Sequence, residues 1–205
     1  MSRPSPRVSR WLKWATIPAA LGLSAVVVAQ SSYAAFSSTT SNPTNNWSAG
    51  TVALSDDDAN TALFTATNLK PGSTGTKCIV VTSSGSLPSQ VKLYGTSPAT
   101  TNNLAGSINL SIVQGTGGSF GGGCTGFTPQ ATNSSVFSGT LAAFGSSATA
   151  FASGTPTAAA ATWAPTGAAA ESKTYQFTYT VDPLAPNTVQ GGTASIGFTW
   201  EAQNT

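Results

Sequence analysis

The sequence predicts an all-β chain, a jelly-roll-like β-sandwich of about seven to eight antiparallel strands with a short helix and a long surface loop. Three observations predict it. Apolar and polar residues alternate with period two in several segments, as half-buried strands require. Turn chemistry separates these segments at short intervals, as at Lys70-Pro71-Gly72 and Leu87-Pro88-Ser89. No helical crossovers of the kind that parallel sheets need lie between them. A closed barrel is the competing architecture.

Taken in order, Thr51 to Leu54 and Ala62 to Thr67 are short strand candidates. Cys78-Ile79-Val80-Val81 is apolar on both faces, which predicts a central strand between two layers. Gln90 to Tyr94 follows, and then a strand in which Ile108, Leu110 and Ile112 share a face. Val136, Phe137, Leu141 and Phe144 fall near helical spacing, so Ser135 to Phe144 reads as a short helix covering an open end of the sandwich. From Gly145 to Ala170 the chain is mostly Ala, Ser, Thr, Gly and Pro, which predicts a long surface loop pinned by Trp163. The last two strands alternate most clearly. Tyr175, Phe177, Tyr179 and Val181 share one face, as do Ala194, Ile196, Phe198 and Trp200 within Thr193 to Glu201.

The N-terminus has a different character. Arg3, Arg7, Arg10 and Lys13 precede an apolar run from Ala15 to Ala29 and the small residues Ser32-Tyr33-Ala34, the three-part layout of a secretory signal. A run of about fifteen residues at 1.5 Å each reaches roughly 22 Å, short of the ~30 Å hydrocarbon layer, so a spanning anchor is the poorer reading. The predicted organisation is a signal peptide over 1–34, cleaved at Ala34 or Ala35, an N-terminal segment over 35–46, and a sandwich domain over 47–205. The expected mature chain carries no transmembrane anchor and is secreted, to the extracellular space or the cell surface.

All three arginines lie in that leader. Beyond it Lys70, Lys77, Lys92 and Lys173 face six carboxylates, a net charge of minus two. A basic nucleic-acid footprint is therefore missing, and so few charges leave little repulsion between copies. Cys78 and Cys124 are the only cysteines, and an even count in an exported chain predicts a disulfide. Two buried thiols are the alternative, as is half of a metal site, a poor option without histidine.

The chain has no histidine at all, which removes the usual general base near pH 7 and the usual zinc ligand. No HExxH motif and no Ser-His-Asp arrangement can be built. Glu171, Asp182 and Glu201 stand isolated among polar residues, which argues against paired-carboxylate hydrolysis. No catalytic or cofactor-binding residue is expected. The weak metal candidates are Asp56, Asp57 and Asp58, whose carboxylates could hold Ca²⁺, but the spaced ligands of an EF-hand are missing and a solvated turn is the simpler reading. The run Gly115 to Gly123 lacks the lysine and helix start of a phosphate loop, so it reads as a flexible lead into Cys124.

Ala34-Ala35-Phe36-Ser37-Ser38-Thr39-Thr40-Ser41-Asn42-Pro43, followed by Trp47-Ser48-Ala49-Gly50-Thr51-Val52-Ala53-Leu54-Ser55-Asp56-Asp57-Asp58, resembles the mature start of the TasA/camelysin family of bacterial surface proteins. The likeness continues through Leu63-Phe64, Asn68-Leu69-Lys70-Pro71-Gly72-Ser73, Cys78 to Val81, Val91-Lys92-Leu93-Tyr94 and Phe198-Thr199-Trp200-Glu201-Ala202-Gln203, and is faintest from Gly115 to Ala170. It implies a jelly roll, removal of the leader by a SipW-type signal peptidase and, for the TasA branch, self-assembly into fibres of the biofilm matrix. The donor strand would comprise Ala35, Phe36, Ser37, Ser38, Thr39 and Thr40, with a second copy of the chain as partner; a disordered tail is the competing reading of that segment. The family's other branch carries a metalloprotease label, which the missing histidines do not support. A monomeric surface binding module or adhesin, using the Gly-rich run and the loop around Trp163, is the alternative function.

Overall fold

A computed structural model describes residues 49–205. The leader over 1–34, the cleavage positions Ala34 and Ala35, the segment 35–46 with its donor strand Ala35 to Thr40, and Trp47 lie outside the described residues.

The described chain forms eight strands, β1 (Leu54–Asp56), β2 (Thr74–Ser83), β3 (Ser89–Thr100), β4 (Ile108–Thr116), β5 (Thr128–Pro129), β6 (Ser135–Thr140), β7 (Glu171–Val181) and β8 (Ala194–Asn204), with one α-helix, α1 (Leu141–Ser147). All pairings are antiparallel. The larger sheet runs β1-β2-β7-β4, with β5 and β6 both pairing β4; the smaller sheet is the pair β3-β8. The fold is an all-β sandwich. Its two long central pairings run from Thr74↔Thr180 to Ser83↔Glu171 and from Ile108↔Val181 to Gly115↔Thr174.

Alternation accounts for the core. Ile79 and Val81, Leu110 and Ile112, and Tyr175 and Phe177 fill the inner face of the larger sheet, with Val91 and Leu93 opposite on β3. Phe177 and Ile112 are fully buried. Rings from the two sheets interlock, with Phe177 4.7 Å from Phe198 and Tyr175 5.4 Å from Trp200 between centroids. Burial pushes the Tyr175 hydroxyl far above the ordinary tyrosine range.

Cys78 and Cys124 are joined, with their Cα atoms 5.2 Å apart. The bridge explains why β2 is apolar on both faces. Ile79 and Val81 meet the core, while Cys78 lies on the outer face against the Gly-rich loop that the bridge ties down.

Several expectations are corrected. The first strand lies at Leu54–Asp56 and not at Thr51 to Leu54, because Thr51 and Ala53 spend their carbonyls on the turn after β2, accepting from Ser86, Leu87 and Ser84. Ala62 to Thr67 forms no strand. Ser135 to Phe144 is not one helix: β6 pairs with β4, and α1 starts at Leu141, where the Thr140 hydroxyl caps it by accepting the Ala143 N–H at 3.1 Å. The apparent helical spacing arises because Val136 points inward from a strand while Phe144 points inward from the following helix, its ring edge-on to Phe137 at 5.0 Å.

The segment 145–170 is a long loop once α1 has ended, with many exposed residues, but it is tied down along its length. It runs as a strap along the outer edge of β3, with carbonyls of Ala148, Thr155, Trp163 and Pro165 accepting the N–H groups of Gly95, Leu93, Val91 and Ser89 at 2.8 to 3.1 Å. These are alternate residues, the ones whose N–H points away from β8. Trp163 does pin the strap, packing into the main core at 8% exposure. Gln114, fully buried on β4, also holds it, donating from Nε2 to the carbonyls of Asn133 and Ala161.

Candidate functional site

The strap closes one edge of the small sheet, and the other edge is open among the described residues. Among the described residues β8 pairs with β3 alone. Because Ser89, Val91, Leu93 and Gly95 bond outward to the strap, the intervening Gln90, Lys92, Tyr94 and Thr96 bond inward to Gln203, Glu201, Thr199 and Gly197. The main-chain groups of Ile196, Phe198, Trp200 and Ala202 therefore point to the open edge. The side chains of the same residues carry the apolar face of β8.

That face is incompletely covered. Ile196, Phe198 and Trp200 are only half-buried, although they pack on the main core. Beside them lies an apolar groove of about 450 Å³. Ala194 to Phe198 and Trp200 line it from β8, Ile79, Ile108, Leu110 and Tyr179 from the larger sheet, and Leu141 closes it from α1. Residues of the β1–β2 connection, among them Ala62, Leu63, Phe64 and Ala66, complete the lining. Phe64 is held edge-on against Tyr179 at 5.1 Å. Asp58 is the only charged residue in the lining among the described residues. An extended, uncharged segment carrying small and apolar side chains matches this groove, since it could bond to the β8 edge while covering the half-exposed rings.

The acidic run has a different part. The Asp57 carboxylate accepts the Val80 N–H through Oδ1 and the Phe120 N–H through Oδ2, both at 2.8 Å. It thus continues the pairing of β2 where β1 stops and anchors the Gly-rich loop, whose Phe120 ring sits 5.8 Å from the Lys77 ammonium. Asp58 caps its own turn, accepting the Asn60 N–H at 2.7 Å. Burial, and then its neighbour Asp58, raise the Asp56 carboxyl above the ordinary range. The sequence marked this cluster only by its charge. The strap, Gln114 and the open edge carried no such mark, because their roles depend on partners far along the chain.

A family profile described as "Camelysin metallo-endopeptidase" matches residues 7–112. No curated protein matches the chain. The donor set does not fit the zinc that this description implies. The chain has no histidine, both cysteines are spent in the bridge, and among the described residues no group of three or more Cys, Asp or Glu side chains converges. The match spans more than half of the 205 residues and takes in β1, β2, β3 and the start of β4, which together build much of the core and part of the groove, and on that ground the chain belongs to the TasA/camelysin family.

Proposed function

We propose that this chain is a secreted structural protein of the bacterial cell surface or extracellular matrix, polymerising by strand addition, in which the N-terminal segment of one copy fills the β8 groove of the next. One observation supports the reading: β8 is a long strand whose outer main-chain groups have no partner among the described residues and whose half-buried apolar residues line a groove, while the other edge of its sheet is closed by the strap. Natural proteins normally cover or charge such an edge.

The occupant is argued from length and charge. β8 has 11 residues, which at ~3.3 Å each extend about 36 Å. The segment 35–46 has 12 residues and no charged side chain, suiting a groove with one carboxylate in its lining. The disulfide suits an oxidising compartment, and no helix among the described residues is long and apolar enough to cross a membrane. Leader removal at Ala34 or Ala35 would release the segment, so that export and competence to assemble become one event.

Electron microscopy of the mature chain tests the proposal. Fibres are expected, and deletion of 35–46 should abolish them while leaving the far-UV circular dichroism and the unfolding midpoint of the sandwich unchanged. Monodisperse monomers at every salt concentration and pH tried would refute it, as would fibres that persist in the deletion variant.

A further inference from the structure

We propose that Ala62–Thr67 is a latent strand, unpaired while the groove is empty, which hydrogen-bonds to the incoming segment on the side opposite β8. The inference rests on the strand-addition reading and adds a second wall to it.

The local chemistry is that of a strand. Ala62-Leu63-Phe64-Thr65-Ala66-Thr67 contains no Gly, Pro or charge, and its Phe and Thr residues favour extended backbone. Left-handed residues bracket it, with φ of 52° and 62° at Ala59 and Asn60 before it and 54° at Asn68 after it. Such residues end regular pairing, so the segment has defined limits. Yet none of its main-chain groups forms a backbone hydrogen bond with another described residue. Among the described residues side chains hold it: Phe64 lies against Tyr179, and Leu63 and Phe64 pack on the main core.

Its position suits that role. The segment lines the same groove as β8, and among the described residues neither main chain has a partner on the groove side. Strands pair at 4.7 to 4.9 Å, so a chain inserted between the two could bond to each. An inserted strand would meet both. The small sheet would then read β3-β8-donor-latent strand, and assembly would order a segment of the acceptor as well as burying the donor.

Amide hydrogen exchange on the mature chain, compared between monomer and fibre, is the first test. Alternate amides within Ala62–Thr67 should slow at least tenfold on assembly, together with those of Ile196, Phe198 and Trp200. Protection of the β8 amides without any change at Ala62–Thr67 would overturn the latent strand and leave strand addition standing. If the β8 amides stay unprotected too, both fall. Protection at Ala62–Thr67 already present in the monomer, and lost when 35–46 is deleted, would support the latent strand while showing that the chain's own segment fills the groove.

The second test uses proline, which removes one N–H and holds φ near −65°, a value extended backbone at an exposed position tolerates. Thr65 and Ala66 are exposed and make no backbone bond among the described residues, so Thr65→Pro and Ala66→Pro should leave the monomer's unfolding midpoint unchanged. Neighbouring N–H groups point in opposite directions in a strand, so one of the two variants should raise the critical concentration for assembly about tenfold and the other much less. Equal, native-like assembly of both variants would overturn the proposal.

Discussion

Replacing both Cys78 and Cys124 by alanine is expected to cost the sandwich about 4 kcal/mol. The two residues are 46 apart in sequence, and closing a loop of that length removes roughly 13 to 14 cal/mol/K of entropy from the unfolded chain, which is about 4 kcal/mol at 25 °C. Cys78 is also fully buried, so the missing sulfur leaves a small void that adds to the loss. One feature of the native state works the other way. The Gly-rich loop stays attached to β2 through the Asp57 carboxylate, which holds the Val80 and Phe120 N–H groups, so the folded side should not unravel with the bridge. For a domain of this size each kcal/mol moves Tm by about 2 to 4 °C, predicting a fall of about 8 to 16 °C. Urea unfolding followed by tryptophan fluorescence gives the free energy and the m-value together. A lower midpoint with an equal or larger m-value is expected, since the uncrosslinked chain expands further on unfolding. A loss below about 1 kcal/mol at unchanged m would refute the reasoning, because the unfolded chain would then gain nothing from the missing crosslink.

Three further outcomes follow from the same structure. Trp163→Ala should cost about 3 to 5 kcal/mol, because Trp163 is nearly buried and anchors the strap; exchange at the Val91 and Leu93 amides should accelerate more than at amides of β7. Asp57→Asn keeps one acceptor oxygen but turns an amide toward an N–H donor, so a loss of about 1 to 2 kcal/mol is expected in chemical denaturation, with faster exchange at the Val80 or Phe120 amide. Tyr175 titrates far above its ordinary value of 10.0 because it is buried, so its contribution is complete below about pH 10 and is lost as the pH rises beyond that, where only the unfolded chain ionises. In Tyr175→Phe the alkaline slope of stability between about pH 10 and 12 should be shallower; an unchanged slope would show that other groups set it.

Much of the fold was legible because burial repeats with the local period of the chain. Tyr175 to Val181 and Ala194 to Trp200 alternate, and both lie in strands. The cysteine pair needed only a count and a compartment. Misreadings occurred where local pattern and long-range pairing diverge. Val136 and Phe144 mimic a helical stripe although they belong to consecutive strand and helix. The region 145–170 reads as a loop and is one beyond α1, but its role as a strap was hidden, because offering carbonyls to β3 needs no alternation; Trp163 was its one visible anchor. Ala62 to Thr67 has the composition of a strand and lacks only a partner.

The groove is the extreme case. Sequence by itself determined that Ile196, Phe198 and Trp200 share one face, since side-chain direction alternates residue by residue and needs no knowledge of neighbours. It likewise determined the absence of a histidine-based catalytic centre, which is a matter of composition. Only the tertiary structure decided that these three residues stay half-covered, that the strap closes one edge of their sheet while the other has no partner among the described residues, and that Asp57 ties a strand to a loop. Those are relations between segments far apart in the chain, set by which main-chain groups find partners once the sheets have packed, and no local period records them.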